Sequence, residues 1–281
     1  MTNSVMKLVR DNIRELKPYT AARHEYSGNA AVLLDANESA YGEYNRYPDP
    51  LQWQLKFQLA RIKGVPAENI FIGNGSDEVI DLACRVFCEP GRDNVIICPP
   101  TYGMYEVCAN INNVAIKKVL LTKDFQPDMP AIWNAVDKNT RLLFICSPNN
   151  PTGNTLNRQD VLQLLSSFKG IVIIDEAYIN FSAQKSFTEA LTTFPNLIIM
   201  QTLSKAWGMA GLRLGLAFAS MDIIDVFNKV KPPYNISQLS QETALFKLQD
   251  TAVVNELTRM TVAERNRLSL LLRGLEIVKK V

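Results

Sequence analysis

Six short apolar runs, each followed by a polar or glycine-bearing turn, alternate with longer stretches of helical periodicity. The runs lie at 94–98, 115–120, 142–146, 171–174, 197–201 and Leu214–Ala219, and the helical stretches at 51–62, 76–88, 102–111, Arg158–Ser167 and 221–229. Because runs such as 142–146 and 171–174 are apolar at every position, those strands need cover on both of their faces. The pattern predicts an α/β fold, with a mostly parallel central sheet and helices on both sides of it. Residues 1–30 are polar and weakly periodic and read as an N-terminal arm; after Pro232-Pro233 the pattern is helical as far as Val281.

Several function classes are disfavoured at once. A net charge of +2 on 281 residues gives no reason to invoke nucleic acid or an anionic membrane. No apolar run approaches the roughly 18–20 residues of a membrane span, and the N-terminus lacks the apolar core of a secretory signal. The five cysteines (Cys84, Cys88, Cys98, Cys108, Cys146) show no C-x-x-C spacing and read as reduced core thiols of a cytoplasmic protein. With His24 as the one histidine, neither a histidine-based zinc site nor a Ser-His-Asp triad is expected. No metal is expected, and proton transfer must fall to another side chain.

In open parallel sheets ligands bind beyond the carboxyl ends of the strands. Lys205, in the run Ser204-Lys205-Ala206-Trp207-Gly208, follows one such end, and Arg213 lies eight residues on. Asp175 ends Ile-Val-Ile-Ile and is followed by Glu176, Ala177 and Tyr178. A lysine, an arginine, an aspartate and a tyrosine so placed suit pyridoxal phosphate held as an imine. Asp175 pairs with a protonated ring nitrogen in that reading; alone, it reads equally well as a helix N-cap. Tyr178 and Asn150 can donate to the ring's phenolate oxygen, although Ser147-Pro148-Asn149-Asn150-Pro151-Thr152-Gly153 is also a rigid turn in its own right. For the phosphate, Gly75, Ser76 and Asp77 open a helix whose backbone N–H groups bind anions. Thr202, Ser204 and the forked guanidinium of Arg213 add donors. The glycine turn lacks P-loop spacing. Tyr102 either stacks on the pyridine ring or is a core aromatic at a helix start.

These motifs resemble those of the fold-type I pyridoxal-phosphate enzymes and, more narrowly, the histidinol-phosphate aminotransferase family. The narrower resemblance is carried by LLDANE at 33–38, RYPDP at 46–50, GNGSDE at 73–78, CPPTYGMY at 98–105, CSPNNPTG at 146–153, DEAY at 175–178 and TLSKAWGMAGLRLG at 202–215. It extends over about residues 8–281. It implies transamination between histidinol phosphate and 2-oxoglutarate, giving imidazole-acetol phosphate and glutamate in histidine biosynthesis. Lys205 would hold the cofactor and shuttle the proton, with Asp175 and Tyr178 beside it. The resemblance further implies a homodimer in which Tyr47 reaches the neighbour's cofactor phosphate, and a substrate pocket lined in part by Tyr19, Asn37 and Glu38. It divides the chain into the arm, a large cofactor-binding α/β domain at 31–245, and the helical start of a small C-terminal domain at 246–281. That last domain is expected to be truncated, without the arginine that grips substrate in the family. Arg259, Arg265, Arg267 and Arg273 remain there, expected to be solvated or structural. A related amino-acid phosphate decarboxylase, an aromatic aminotransferase and a catalytically impaired cofactor-binding fragment are the competing readings.

Overall fold

Alternate residues of each central strand enter two different hydrophobic cores, which is how a run apolar at every position comes to be buried. The computed structural model describes residues 5–19 and 36–278. Residues 1–4 and 20–30 of the expected arm, His24 among them, and residues 33–35 of the LLDANE motif lie outside them. The strands are β1 (Ile70–Asn74), β2 (Asn94–Ile97), β3 (Ala115–Lys118), β4 (Thr140–Cys146), β5 (Ile171–Asp175), β6 (Leu197–Thr202) and β7 (Leu214–Ala219). They form one sheet in the order β1-β7-β6-β5-β4-β2-β3. Ile70, Ile72, Val172, Ile174, Leu197 and Ile199 face one core; Phe71, Ile171, Ile173, Ile198 and Met200 face the other. Each such side chain contributes about 1.5–3 kcal/mol by leaving water, and the period of two divides that gain between the faces.

Helices supply the cover. They are α1 (Asp11–Glu15), α2 (Trp53–Lys63), α3 (Ser76–Phe87), α4 (Met104–Ile111), α5 (Met129–Ala135), α6 (Arg158–Ser167), α7 (Met221–Val230), α8 (Gln238–Lys247) and α9 (Thr251–Arg273). α2 and α6 close the first core with Leu55, Leu59, Val161, Leu164 and Leu165. α3 and α7 close the second through Val79, Ile80, Ala83, Cys84, Phe87, Ile223, Ile224 and Phe227, apolar stripes at helical spacing. Val5 and Val9, from the expected arm, pack into this second core too. α6 starts where the Asn157 side chain accepts from Gln159 N at 2.9 Å, and α5 where Asp128 accepts from Ala131 N at 3.0 Å. Among the described residues no helix is long and apolar enough to cross a membrane.

The structure departs from the sequence reading in three places. β1 was not expected, because Gly73 and Asn74 disguise its last two residues as the start of a turn. α5 is seven residues with a proline in its first turn, too short to show a period. The continuous C-terminal helical reading divides in two at Asp250, whose side chain accepts from Val253 N at 3.2 Å and starts α9. Within α9 only Val254 is buried, while Arg259 and Arg267 pair with Glu256 and Glu264 on the exposed side. Arg265 instead donates to Phe181 O at 3.0 Å.

β7 runs antiparallel to both of its neighbours, β1 and β6. Its first residues therefore lie beside the carboxyl ends of those two strands, with Leu214 opposite Asn74 and Gly215 opposite Thr202. Gly215 is forced by this approach. A Cβ there would lie 2.2 Å from both Gly75 C and Ser76 N, backbone atoms that have nowhere to go. Gly215→Ala is accordingly expected to lower the unfolding free energy by about 1–3 kcal/mol, the range of an overpacked core, measured by denaturant titration. Unchanged stability would mean that the loop after β1 is free to move away.

Candidate active site

The carboxyl ends of β1, β4, β5 and β6 and the first residues of β7 meet along one edge, as the registers Asn74–Leu214, Thr202–Gly215, Met200–Asp175 and Cys146–Asp175 require. A cleft of about 570 Å³, including its open mouth, lies over that edge. Gly75, Ser76, Asp77, Tyr102, Asn150, Asp175, Tyr178, Thr202, Ser204, Lys205 and Arg213 all line it. Cys146, read from the sequence as a core thiol, and Ala177 line it as well.

Alternation sorts the two adjacent carboxylates. Asp175 continues the parity of Ile171 and Ile173, so its side chain lies on the second-core side; Glu176 has the opposite parity. Asp175 is 4% exposed. Its Oδ2 accepts from the Tyr105 hydroxyl at 2.6 Å and its Oδ1 from Ala177 N at 2.9 Å. Burial pushes this carboxyl above the usual carboxylate range; the two donors pull it back, Asp77 pushes it up and Lys205 pulls it down. The bond to Ala177 N is a local turn and caps no α-helix, since the next element is a single 3-10 turn at Ile179–Phe181. Tyr105 is a residue that sequence reasoning missed. It ends the motif 98–105, and nothing in its spacing marks a partner 70 residues away.

Glu176 is fully engaged elsewhere. It accepts from Ser186 Oγ at 2.6 Å, Phe187 N at 2.7 Å and Gln201 Nε2 at 2.9 Å. Gln201 in turn accepts from Lys63 Nζ at 2.7 Å, and that ammonium lies 5.7 Å from the ring centre of Trp207, two residues beyond Lys205. This network ties α2 to the loop that carries Lys205.

Lys205 Nζ lies 5.5 Å from the ring centre of Tyr178. Its loop is held by Thr202, whose Oγ1 accepts from Ser204 N at 3.1 Å and donates to Leu214 O at 3.3 Å. At the other end of the cleft α3 begins, with Gly75 N donating to Arg213 O at 2.7 Å. Gly75 has φ +79°, and a Cβ there would sit 2.7 Å from Arg213 Nη2, so only glycine lets the guanidinium lie against the helix start. Arg213 Nη2 is 3.9 Å from Asp77 Oδ2 and half exposed. Such a pair is worth about 0–1 kcal/mol, which leaves the guanidinium available to an anion. Tyr102 donates to Asp77 Oδ1 at 3.1 Å and meets Tyr105 edge-on. Asn150 stands in a turn closed by Asn149 N to Asn154 O at 2.9 Å and Gly153 N to Asn149 O at 2.7 Å, so the rigid-turn reading and the placement in the cleft hold together.

Four residues named from the resemblance do not line this cleft. Tyr19 borders a separate hollow with Asp225, Lys229 and Lys231. The Glu38 carboxylate accepts from Tyr47 N at 2.6 Å and from Arg46 Nη1 at 2.7 Å, and the Tyr47 ring stacks on Tyr234 at 4.4 Å. Asn37 is exposed, with a left-handed backbone at φ 53°.

A lysine facing a tyrosine, a buried carboxylate and a helix start beside an arginine, all at the carboxyl edge of a sheet with one reversed strand, define the plan of a fold-type I transferase. A model of the family "Aminotransferase class I and II" matches residues 22–279. A histidinol-phosphate aminotransferase of Parabacteroides distasonis is 56% identical over 266 residues, covering 94% of this chain and 77% of that one. Another from Flavobacterium johnsoniae is 47% identical over 284 residues, covering 100% and 81%. The crystal structure of histidinol-phosphate aminotransferase from Sinorhizobium meliloti in complex with pyridoxal-5'-phosphate superposes with a TM-score of 0.76 at 25% identity, over 85% of this chain and 70% of that one. The chain belongs to the class I and II aminotransferases, and within them to the histidinol-phosphate aminotransferase family.

Burial pulls the Lys63 amine down to about 8 from 10.5, against an opposing pull from Glu176. Between those two values the folded chain binds fewer protons at this site than the unfolded chain. The contribution of Lys63 to stability therefore rises as pH rises through that window. Relative to Lys63→Met, the wild-type protein should gain on the order of 1 kcal/mol between about pH 8 and about pH 10, read from denaturant unfolding at each pH. A difference that stays flat would mean that the amine is solvated and does not belong to the network.

Proposed function

We propose that this chain binds pyridoxal 5'-phosphate in the cleft and transfers an amino group between histidinol phosphate and 2-oxoglutarate, giving imidazole-acetol phosphate and glutamate, a step of histidine biosynthesis. The observation that carries the reading is the chemistry of the donor set. The buried Asp175 carboxylate has lone pairs left over after its two hydrogen bonds, which suits a cationic ring nitrogen. A 12-residue helix start flanked by Arg213 suits a dianionic phosphate. The two features lie in one cleft, with Lys205 also on its wall.

When bound, the cofactor supplies an electron sink that makes the substrate Cα–H acidic. The protein's part is positioning and proton transfer. Asp175 holds the ring nitrogen protonated, so that the ring can draw charge. Tyr178 and Asn150 donate to the phenolate oxygen, and Tyr102 covers the ring face. Gly75, Ser76, Asp77, Thr202, Ser204 and Arg213 hold the phosphate through backbone N–H groups, hydroxyls and the guanidinium. Lys205 would hold the cofactor through its Nζ and, when free, would carry the substrate's proton away from and back to carbon. Two such half-reactions give ping-pong kinetics.

The reading extends to a homodimer. Tyr47 lies outside this protomer's cleft and half exposed, a placement that suits contact with the phosphate in a partner's cleft. Tyr19, Asn37 and Glu38 are assigned to the substrate pocket on the same footing. Residues 31–245 form the cofactor-binding domain in this account, with 246–281 the helical beginning of a second. A cytoplasmic location fits the five buried cysteines, all unpaired.

Lys205→Ala should abolish the covalent adduct and lower kcat by about 10³-fold or more. The check is borohydride reduction of the protein loaded with pyridoxal phosphate, followed by peptide mass spectrometry and an assay of 2-oxoglutarate formation from glutamate. An adduct on another lysine, or none in the wild-type protein, contradicts the reading.

A further inference from the structure

We propose that Tyr105 is the positioning residue for Asp175, fixing the bearing of its carboxylate toward the cofactor's ring nitrogen; the inference rests on the cofactor reading above. Tyr105 lies on α4 with no exposed surface. Its ring stacks on Phe144 of β4 at 4.9 Å and 11°. A phenylalanine would fill the same space, so packing does not account for the hydroxyl. A buried O–H is unfavourable without an acceptor, and the acceptor here is Asp175 Oδ2 at 2.6 Å.

The geometry gives that bond a consequence. The terminal torsion of an aspartate is broad and roughly two-fold, so burial alone does not fix the plane of its carboxylate. Tyr105 holds one oxygen and Ala177 N the other. Two donors arriving from different elements, α4 and the turn after β5, set that plane and leave a free lone pair on each oxygen. The charged and titratable groups around Asp175 act in both directions. Burial and Asp77 favour its protonated form; Tyr105, Ala177 N and Lys205 favour the carboxylate. Tyr102 and Cys146 also face it, both pushed up by burial and so neutral. Tyr105 is therefore one of the few groups that favour the ionised carboxylate, and the one side chain that, with Ala177 N, also aims it.

Tyr105→Phe keeps the ring and removes the donor. In the apoprotein, the Asp175 carboxyl titration, followed by infrared difference spectroscopy and assigned with Asp175→Asn, should move to higher pH. With pyridoxal phosphate, the Kd should rise about tenfold and kcat fall about tenfold, with KM held within about twofold, the scale of one charge-assisted hydrogen bond. In the Asp175→Asn background the same substitution should change Kd by less than about twofold, because no carboxylate charge remains for the hydroxyl to hold. Phe144→Leu, which removes the stacking partner and no hydrogen bond, should lower the melting temperature and leave the titration in place. An unmoved titration in Tyr105→Phe, or an equal rise of Kd in both backgrounds, overturns the proposal. Failure of the cofactor reading has a different signature, a wild-type protein with no Lys205 adduct, and the apoprotein titration still decides whether Tyr105 controls Asp175.

Discussion

The carboxylate of Asp175 sits 4% exposed at the carboxyl end of β5, and both of its hydrogen bonds come from neutral donors. Removing such a charge from water is costly unless it is paired. The neighbouring Glu176 meets the same problem by accepting three hydrogen bonds, one of them through a glutamine that is itself held by Lys63. Asp175 has fewer partners and faces the cleft. Two adjacent acids thus serve different ends, and strand alternation alone separates them: one is spent on the fold, and the other is left in need of a cation.

The rest of the site follows from how the sheet is wound. Parallel strands deliver Cys146, Asp175 and Thr202 to one edge. The reversal of β7 then brings the start of a strand to that same edge, so Arg213 comes alongside the first turn of α3. That approach is tight enough to require glycine at 215, where a Cβ would meet backbone, while Gly75 is favoured by its φ of +79°. The Arg213 backbone and the helix start are held against each other, and an anion placed there would meet the helix N–H groups beside the Arg213 guanidinium. The lysine loop is anchored from both sides, by Thr202 above and by the Gln201–Lys63 contact below.

Much of this was legible in the sequence, because apolar runs ending in polar residues mark strand ends, and strand ends are where α/β proteins keep their chemistry. Lys205, Asp175, Tyr178, Asn150 and Arg213 were all found by that rule, and all stand in one cleft. β1 was missed because its glycine and asparagine belong equally to a strand end and a turn. Tyr105 was missed for a different reason. Its contact is made across the fold, and sequence spacing carries no information on which of two nearby tyrosines bonds Asp77 at the cleft and which is buried against Asp175. Tyr19, Asn37, Glu38 and Tyr47 came from family resemblance, and the cleft does not include them.

The central claim is that the fold keeps a buried carboxylate for a cationic ring nitrogen. The most direct measurement is the ¹⁵N chemical shift of ring-labelled pyridoxal phosphate bound to the wild-type protein, followed with pH. The account predicts a protonated, hydrogen-bonded ring nitrogen that persists well above the pH at which the free cofactor loses that proton, and loses this persistence in Asp175→Asn. A ring nitrogen that is neutral at neutral pH in the wild-type protein would contradict it.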